Sequence, residues 1–89
     1  RGFIIFISRS ASWTSKKTAQ NLKSTLSASG VPNRGIQNQD YRVLVQTECP
    51  AVLIECGFMT NYDEAAQLQD PWYQNKLARA IADGVIKSL

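Results

Sequence analysis

One acidic side chain stands apart in this 89-residue sequence. Glu55 closes the apolar run Ala51-Val52-Leu53-Ile54, where a carboxylate is costly to desolvate unless it is paired, protonated or bound to a metal. If that run is a strand, Glu55 and the flexible Gly57 lie at its carboxyl end, where ligands gather in open α/β sheets. A carboxylate in such a place can carry protons; a salt bridge or an exposed strand tip is the reading without function. Histidine is missing from the whole sequence, which removes the usual general base near neutral pH and the commonest zinc ligand. Cys49 and Cys56 lack the C-x-x-C spacing and any second pair, so they read as two buried free thiols.

The elements that must position Glu55 follow from pattern. Phe3-Ile4-Ile5-Phe6-Ile7 is continuously apolar, the mark of a strand covered on both faces with neighbours on either side. After a Ser-rich stretch, Thr14 or Ser15 can cap a helix in which Ala19, Leu22 and Leu26 fall on one face. Gly30 is placed to end it in a left-handed conformation. Val31-Pro32-Asn33-Arg34-Gly35 has loop chemistry. Tyr41 to Val45 reads as a second strand and Ala51 to Glu55 as a third, antiparallel to it because so short a link excludes a parallel crossover. Gly57-Phe58-Met59-Thr60 leaves that strand, and Asn61 with Glu64 then forms a capping box. Asp70-Pro71 opens a last helix, whose face is Tyr73, Leu77, Ala80, Ile81, Gly84, Val85 and Ser88, with Trp72 and Leu89 extending the stripe. The order predicted is strand, helix, strand, strand, helix, helix, an α/β arrangement without linker or repeat.

Composition narrows the function classes. The chain is too short for two ordinary domains and too apolar for a disordered tail, and its longest apolar run is a strand's length, so no membrane span is expected. Residues 1–42 carry seven basic side chains and one acid, and residues 43–89 carry three and six. A basic front half could meet an anionic polymer, but Lys16, Lys17 and Lys23 fit a solvated helix surface, and nucleic-acid sites are denser in Lys and Arg with interleaved aromatics. No nucleic acid is expected as a partner. The sequence opens on Arg1-Gly2, without an initiator Met or signal peptide, as a later piece of something longer would.

Around Glu55 the pattern becomes specific. Pro50-Ala51-Val52-Leu53-Ile54-Glu55-Cys56-Gly57-Phe58-Met59-Thr60-Asn61 closely resembles the Pro-Ala-Val-Leu-Val-Glu-x-Gly-Phe-(Ile/Leu)-Ser-Asn signature of zinc-dependent N-acetylmuramoyl-L-alanine amidases, the peptidoglycan-cleaving autolysins. Asn33-Arg34-Gly35-Ile36 is similar to the family's Arg-Gly-Val element, and Asp63-Glu64-Ala65-Ala66 and Ala80-Ile81-Ala82-Asp83-Gly84-Val85 to its final helices. The resemblance spans essentially the whole chain. It implies hydrolysis of the amide between the muramic acid lactyl group and L-alanine of the stem peptide by a zinc-bound water, with Glu55 as the catalytic carboxylate. Arg34 would contact a substrate carboxylate or carbonyl, or else serve as a loop salt-bridge partner. Gly57 would keep space beside the catalytic carboxylate, and Asn61 would cap a helix.

The departure from the family is the missing ligand set. The family holds its zinc through two histidines and a glutamate in the N-terminal half of the domain, and no metal ligand is assigned in this chain. The expectation is therefore a mixed, mostly parallel sheet flanked by helices, with residues 1–89 the C-terminal portion of an amidase catalytic domain. Zinc would belong to the intact domain, and the piece alone would be inactive and bind none. Its partners would be the stem peptide, muramic acid and the missing N-terminal half. The flank of the Phe3–Ile7 strand would be left open to self-association. The work would be done outside the cytoplasm, at the cell wall. A metal-free module binding peptidoglycan or a partner protein is the alternative, and a small basic nucleic-acid binder a third.

Overall fold

The structure, a computed structural model, describes residues 2–57 and 61–89. Its elements are β1 (Phe3–Ile7), α1 (Trp13–Ala28), β2 (Asn33–Asn38), α2 (Arg42–Val45), β3 (Leu53–Glu55), α3 (Tyr62–Gln69) and α4 (Pro71–Lys87). The exit from the third strand through Phe58, Met59 and Thr60 lies outside the described residues, as does Arg1.

The three strands form one mixed sheet in the order β2-β1-β3. β1 is parallel to β2 and antiparallel to β3, with Ile4 opposite Glu55 and Phe6 opposite Leu53. All five β1 residues are buried, as the unbroken apolar run requires of a central strand. This corrects the expectation of an open flank on Phe3–Ile7: β1 has a strand on each side, and the outer strands among the described residues are β2 and β3. Period-two alternation then sorts the faces. Phe3, Ile5 and Ile7 join Leu22, Leu26, Leu77 and Ala80 in the main core, while Ile4 and Phe6 pack with Leu44 on the opposite face.

Two further expectations fail on the flanks of that strand. Asn33, Arg34 and Gly35 belong to β2 rather than to a loop, because Gly35 takes a positive φ of 95° and absorbs a one-residue register shift against β1. A glycine read as a turn signal is a bulge inside a strand. Tyr41 to Val45 is not a strand either. Arg42–Val45 is a single helical turn that lays Leu44 on Ile4 and Phe6, and Tyr41 meets Phe6 edge-on at 5.4 Å. The β-branched residues that suggest a strand, Val43 and Val45, are exposed. β3 consequently pairs with β1 and not with residues 41–45.

The helices follow their local signals more closely. α1 starts one turn earlier than the apolar spacing indicates, since the Ser12 hydroxyl, not Thr14 or Ser15, accepts the free amide of Ser15 at 3.1 Å. It ends where Gly30, at φ +87°, lets Gly30 N donate to Ser27 O and Val31 N donate to Leu26 O, with Val31 buried against the core. Asp70 ends α3 and caps α4, accepting from Trp72 N at 3.0 Å, with Pro71 in the first turn. α4 runs antiparallel to α1 beneath the sheet. Thr25 Oγ1 donates to Ala80 O at 2.7 Å, and Asn21 Nδ2 donates to Ser88 Oγ at 2.9 Å. Gly84 permits the close crossing, because a Cβ there would stand 2.7 Å from Leu22 Cδ2. Leu77, Ala80 and Gly84 face the core as the helical spacing predicts, but Val85, Trp72 and Leu89 are exposed and do not extend the stripe.

Candidate functional site

The antiparallel course of β3 decides where Glu55 sits. As the last residue of β3 it faces Ile4, near the beginning of β1, so the carboxyl end of β3 lies beside the amino ends of β1 and β2. The rule that ligands gather beyond strand carboxyl ends therefore holds for β3 alone and points away from the carboxyl ends of the parallel pair. Alternation places Glu55 on the same face as Leu53, Ile4 and Phe6, the face that carries α2 and not the long helices. Glu55 is half-buried, and among the described residues its carboxylate makes no hydrogen bond or ion pair.

Arg34 comes to the same place from the other side. Asn33 is level with Phe3 and Ile36 with Ile5, so Arg34 and Gly35 together stand opposite Ile4, and alternation from Asn33 puts Arg34 on the Ile4 face just before the Gly35 bulge. Arg34 and Glu55 thus flank Ile4 at one end of one face of the sheet, with their backbones two strand spacings, roughly 9–10 Å, apart. Arg34 is exposed.

A second carboxylate supports this end of the sheet, and its sequence context disguises it. The capping-box pattern predicts that Glu64 turns back on Asn61. Asn61 does cap α3, its Oδ1 accepting from Glu64 N at 3.0 Å, but the Glu64 side chain goes elsewhere. It is 4 % exposed, and its Oε2 accepts the Gly2 amide at 2.6 Å, fastening α3 to the start of β1. Gly57 stands against it, since a Cβ on Gly57 would lie 3.1 Å from Glu64 Oε2. Gly57 therefore keeps space beside the Glu64 carboxylate. The local signal was the spacing from Glu55; the partner of Glu64, 62 residues away in sequence, was not legible.

Elsewhere the chemistry-bearing residues are dispersed. Cys49 is exposed beside Thr47 Oγ1, which corrects its reading as a buried thiol, and Cys56 is half-buried against the main core, where desolvation pushes its thiol up. At the far end of β1, Asp40 accepts from Arg9 N, from Arg9 Nη1 at 3.0 Å and from Ser8 Oγ, which together hold its carboxyl below the usual value. A cleft of about 310 Å3 lies at that end, lined by hydroxyls of Ser8, Ser10, Ser12 and Thr47. Neither Glu55 nor Arg34 lines it. The zinc that the resemblance implies does not fit the donors of this chain: the sequence has no histidine, and among the described residues no three of His, Cys, Asp and Glu gather. No helix among the described residues is long and apolar enough to cross a membrane.

Known proteins share this fold. Residues 1–87 match the family profile described as N-acetylmuramoyl-L-alanine amidase. The chain is 34 % identical over 73 residues to the N-acetylmuramoyl-L-alanine amidase LytC of Bacillus subtilis, covering 81 % of this chain and 15 % of that protein. It is 37 % identical over 68 residues to the probable cell wall amidase LytH of Staphylococcus aureus, covering 75 % of this chain and 23 % of that one. The crystal structure of an N-acetylmuramoyl-L-alanine amidase from Clostridium difficile 630 superposes with a TM-score of 0.91 at 37 % identity, over 97 % of this chain and 47 % of that chain. The chain spans about half the length of that solved domain and less than a quarter of the two curated relatives.

Proposed function

The chain belongs to the N-acetylmuramoyl-L-alanine amidase family, and we propose that it forms the C-terminal portion of a catalytic domain that cleaves the amide between N-acetylmuramic acid and L-alanine of peptidoglycan. Glu55 is its proton carrier: the carboxylate takes a proton from the attacking water and returns it to the amine that leaves. Arg34, across Ile4 from Glu55, binds a carbonyl or carboxylate of the stem peptide and fixes the direction in which the peptide lies. Glu64 and Gly57 keep the end of β3 in register with the start of β1, and so hold the Glu55 backbone in place. Zinc would polarise the scissile carbonyl and lower the pKa of water, but the described residues offer no donor set that would hold it. The work is done at the cell wall, where the substrate is.

The observation that carries this reading is the placement of Arg34 and Glu55 on one face at one end of the sheet, on either side of Ile4. The test is turnover on muramyl peptides by the enzyme as its cell makes it. Glu55→Gln should leave zinc content unchanged and lower turnover by roughly a hundredfold or more. Full activity in that variant removes Glu55 from the mechanism, and failure of the native enzyme to release stem peptide removes the amidase assignment. The absence of histidine favours a second reading, a wall-binding module without catalysis. Binding of wall fragments without peptide release would be its mark.

A further inference from the structure

α4 turns a set of residues away from the core that its packing does not explain. Trp72, Asn75, Lys76 and Arg79 recur at helical spacing and, with Ser29 at the end of α1, line a cleft of about 300 Å3. Trp72 is 69 % exposed, although Leu77, Ala80 and Gly84 of the same helix are buried. The Lys76 ammonium stands 5.7 Å from the Trp72 ring centroid and 5.5 Å from that of Tyr73, so its position is fixed by two aromatic faces. It also lies near Gly30, where the carbonyl end of α1 favours a cation. That local role accounts for Lys76, but not for Arg79 or for the open indole. Among the described residues the Arg79 guanidinium has no hydrogen bond or ion pair, and no acidic side chain lines this cleft.

We propose that this cleft binds an acidic saccharide, the N-acetylmuramic acid of a glycan strand whose lactyl carboxylate is free. The inference rests on the amidase reading for its ligand. Hydrolysis of the muramoyl amide adds water across the C–N bond: the acyl carbon keeps the new oxygen as a carboxylate, and the nitrogen leaves as the free amine of the peptide. The product glycan therefore carries an anion that the substrate lacks at the same atom. An indole face stacks against the C–H face of a sugar ring, the Asn75 amide and Ser29 hydroxyl meet ring substituents, and the two cations meet the carboxylate. The charge complementarity is to that anion, since a neutral saccharide would leave the Arg79 guanidinium unused.

Position agrees with this assignment. α4 begins beside the end of α1, at the end of the sheet where β3 finishes in Glu55. A smaller cleft of about 160 Å3, which shares Lys76 and is bounded by Gly2, Pro32, Glu64 and Tyr73, lies between the two regions. A strand already stripped of peptide would be held on the helix side of that end, keeping the enzyme on the glycan between cuts.

The experiment is calorimetric and fluorescence titration of the protein, in a Trp13→Phe background so that Trp72 alone reports within this chain. The probes are alternating N-acetylglucosamine–N-acetylmuramic acid oligomers with free carboxylates, neutral N-acetylglucosamine oligomers of equal length, and a poly(glycerol phosphate). The acidic glycan should bind at least tenfold more tightly than the neutral one and quench Trp72. Arg79→Gln and Lys76→Gln should each weaken it about tenfold while leaving weak neutral-sugar binding unaltered, a readout that a merely structural defect would not produce. No binding, equal affinity for the neutral oligomer, equal or tighter binding of the phosphate polymer, or indifference to Arg79→Gln each overturns the proposal. An enzyme that cleaves muramyl peptides without binding the acidic glycan retains the amidase reading and loses this one; binding without cleavage separates the two in the other direction.

Discussion

The α1–α4 crossing can be tested through Gly84. In a solvent-exposed helix interior, replacing glycine by alanine gains about 1 kcal/mol, because the backbone entropy lost on folding is smaller. At Gly84 the added Cβ would stand 2.7 Å from Leu22 Cδ2 and 3.0 Å from both Leu22 Cα and Thr25 Oγ1. Carbon atoms prefer about 3.5–4.0 Å, so the first contact is short by roughly an ångström. Neither partner yields readily: Leu22 is fully buried, and Thr25 Oγ1 is held by its 2.7 Å bond to Ala80 O. The overpacking cost belongs in the upper part of the usual 1–3 kcal/mol range, and after the propensity gain about 1–2 kcal/mol of destabilisation remains. In urea this should lower the midpoint by about 1–2 M at constant slope, with a fall of roughly 5–15 °C in Tm. Adding Leu22→Ala should recover part of the Gly84→Ala loss, so that the two changes are not additive. Ala82→Gly, on the exposed side of the same helix, supplies the propensity term alone. A Gly84→Ala protein as stable as the native one, or more so, would refute the close crossing and the core built on it.

Two other outcomes follow from the titrating groups. The Asp40 carboxyl is held low by Arg9 and Ser8, so its contribution to stability is present above the unfolded value near 3.8 and is lost as pH falls through the lower folded value. The difference in urea midpoint between native protein and Asp40→Asn should therefore be constant near neutrality and shrink below pH 3.8; a difference that grows on acidification contradicts the clamp. Burial raises the Cys56 thiol while Cys49 is exposed, so a thiol reagent at pH 8 should label Cys49 roughly tenfold faster or more, read by mass spectrometry of the two peptides. Equal rates would mean that the segment after β3 does not pack on the core.

Much of the candidate site is legible in the sequence. A carboxylate ending an apolar run, with a glycine two residues on, is a local pattern, and Glu55 does end β3. The central strand β1, the capping residues Asn61 and Asp70 and the left-handed Gly30 are legible for the same reason, since each depends on neighbours within a few positions. Reading fails where a local preference competes with distant packing. Residues 41–45 have β-branched composition, yet they form a helical turn because Leu44 is needed over Ile4 and Phe6. Glu64 fits a capping box, yet its carboxylate serves the Gly2 amide.

What the sequence determined by itself is the chemistry available: one carboxylate at a strand end, a guanidinium near a glycine, and no histidine. What only the tertiary structure decided is which of these meet. β3 runs against β1 while β2 runs with it, which carries Glu55 and Arg34 to the same end, and the register of each pair puts them on the same face. Register is set by which hydrophobic faces can be buried together, a property of the assembled core and not of any segment within it.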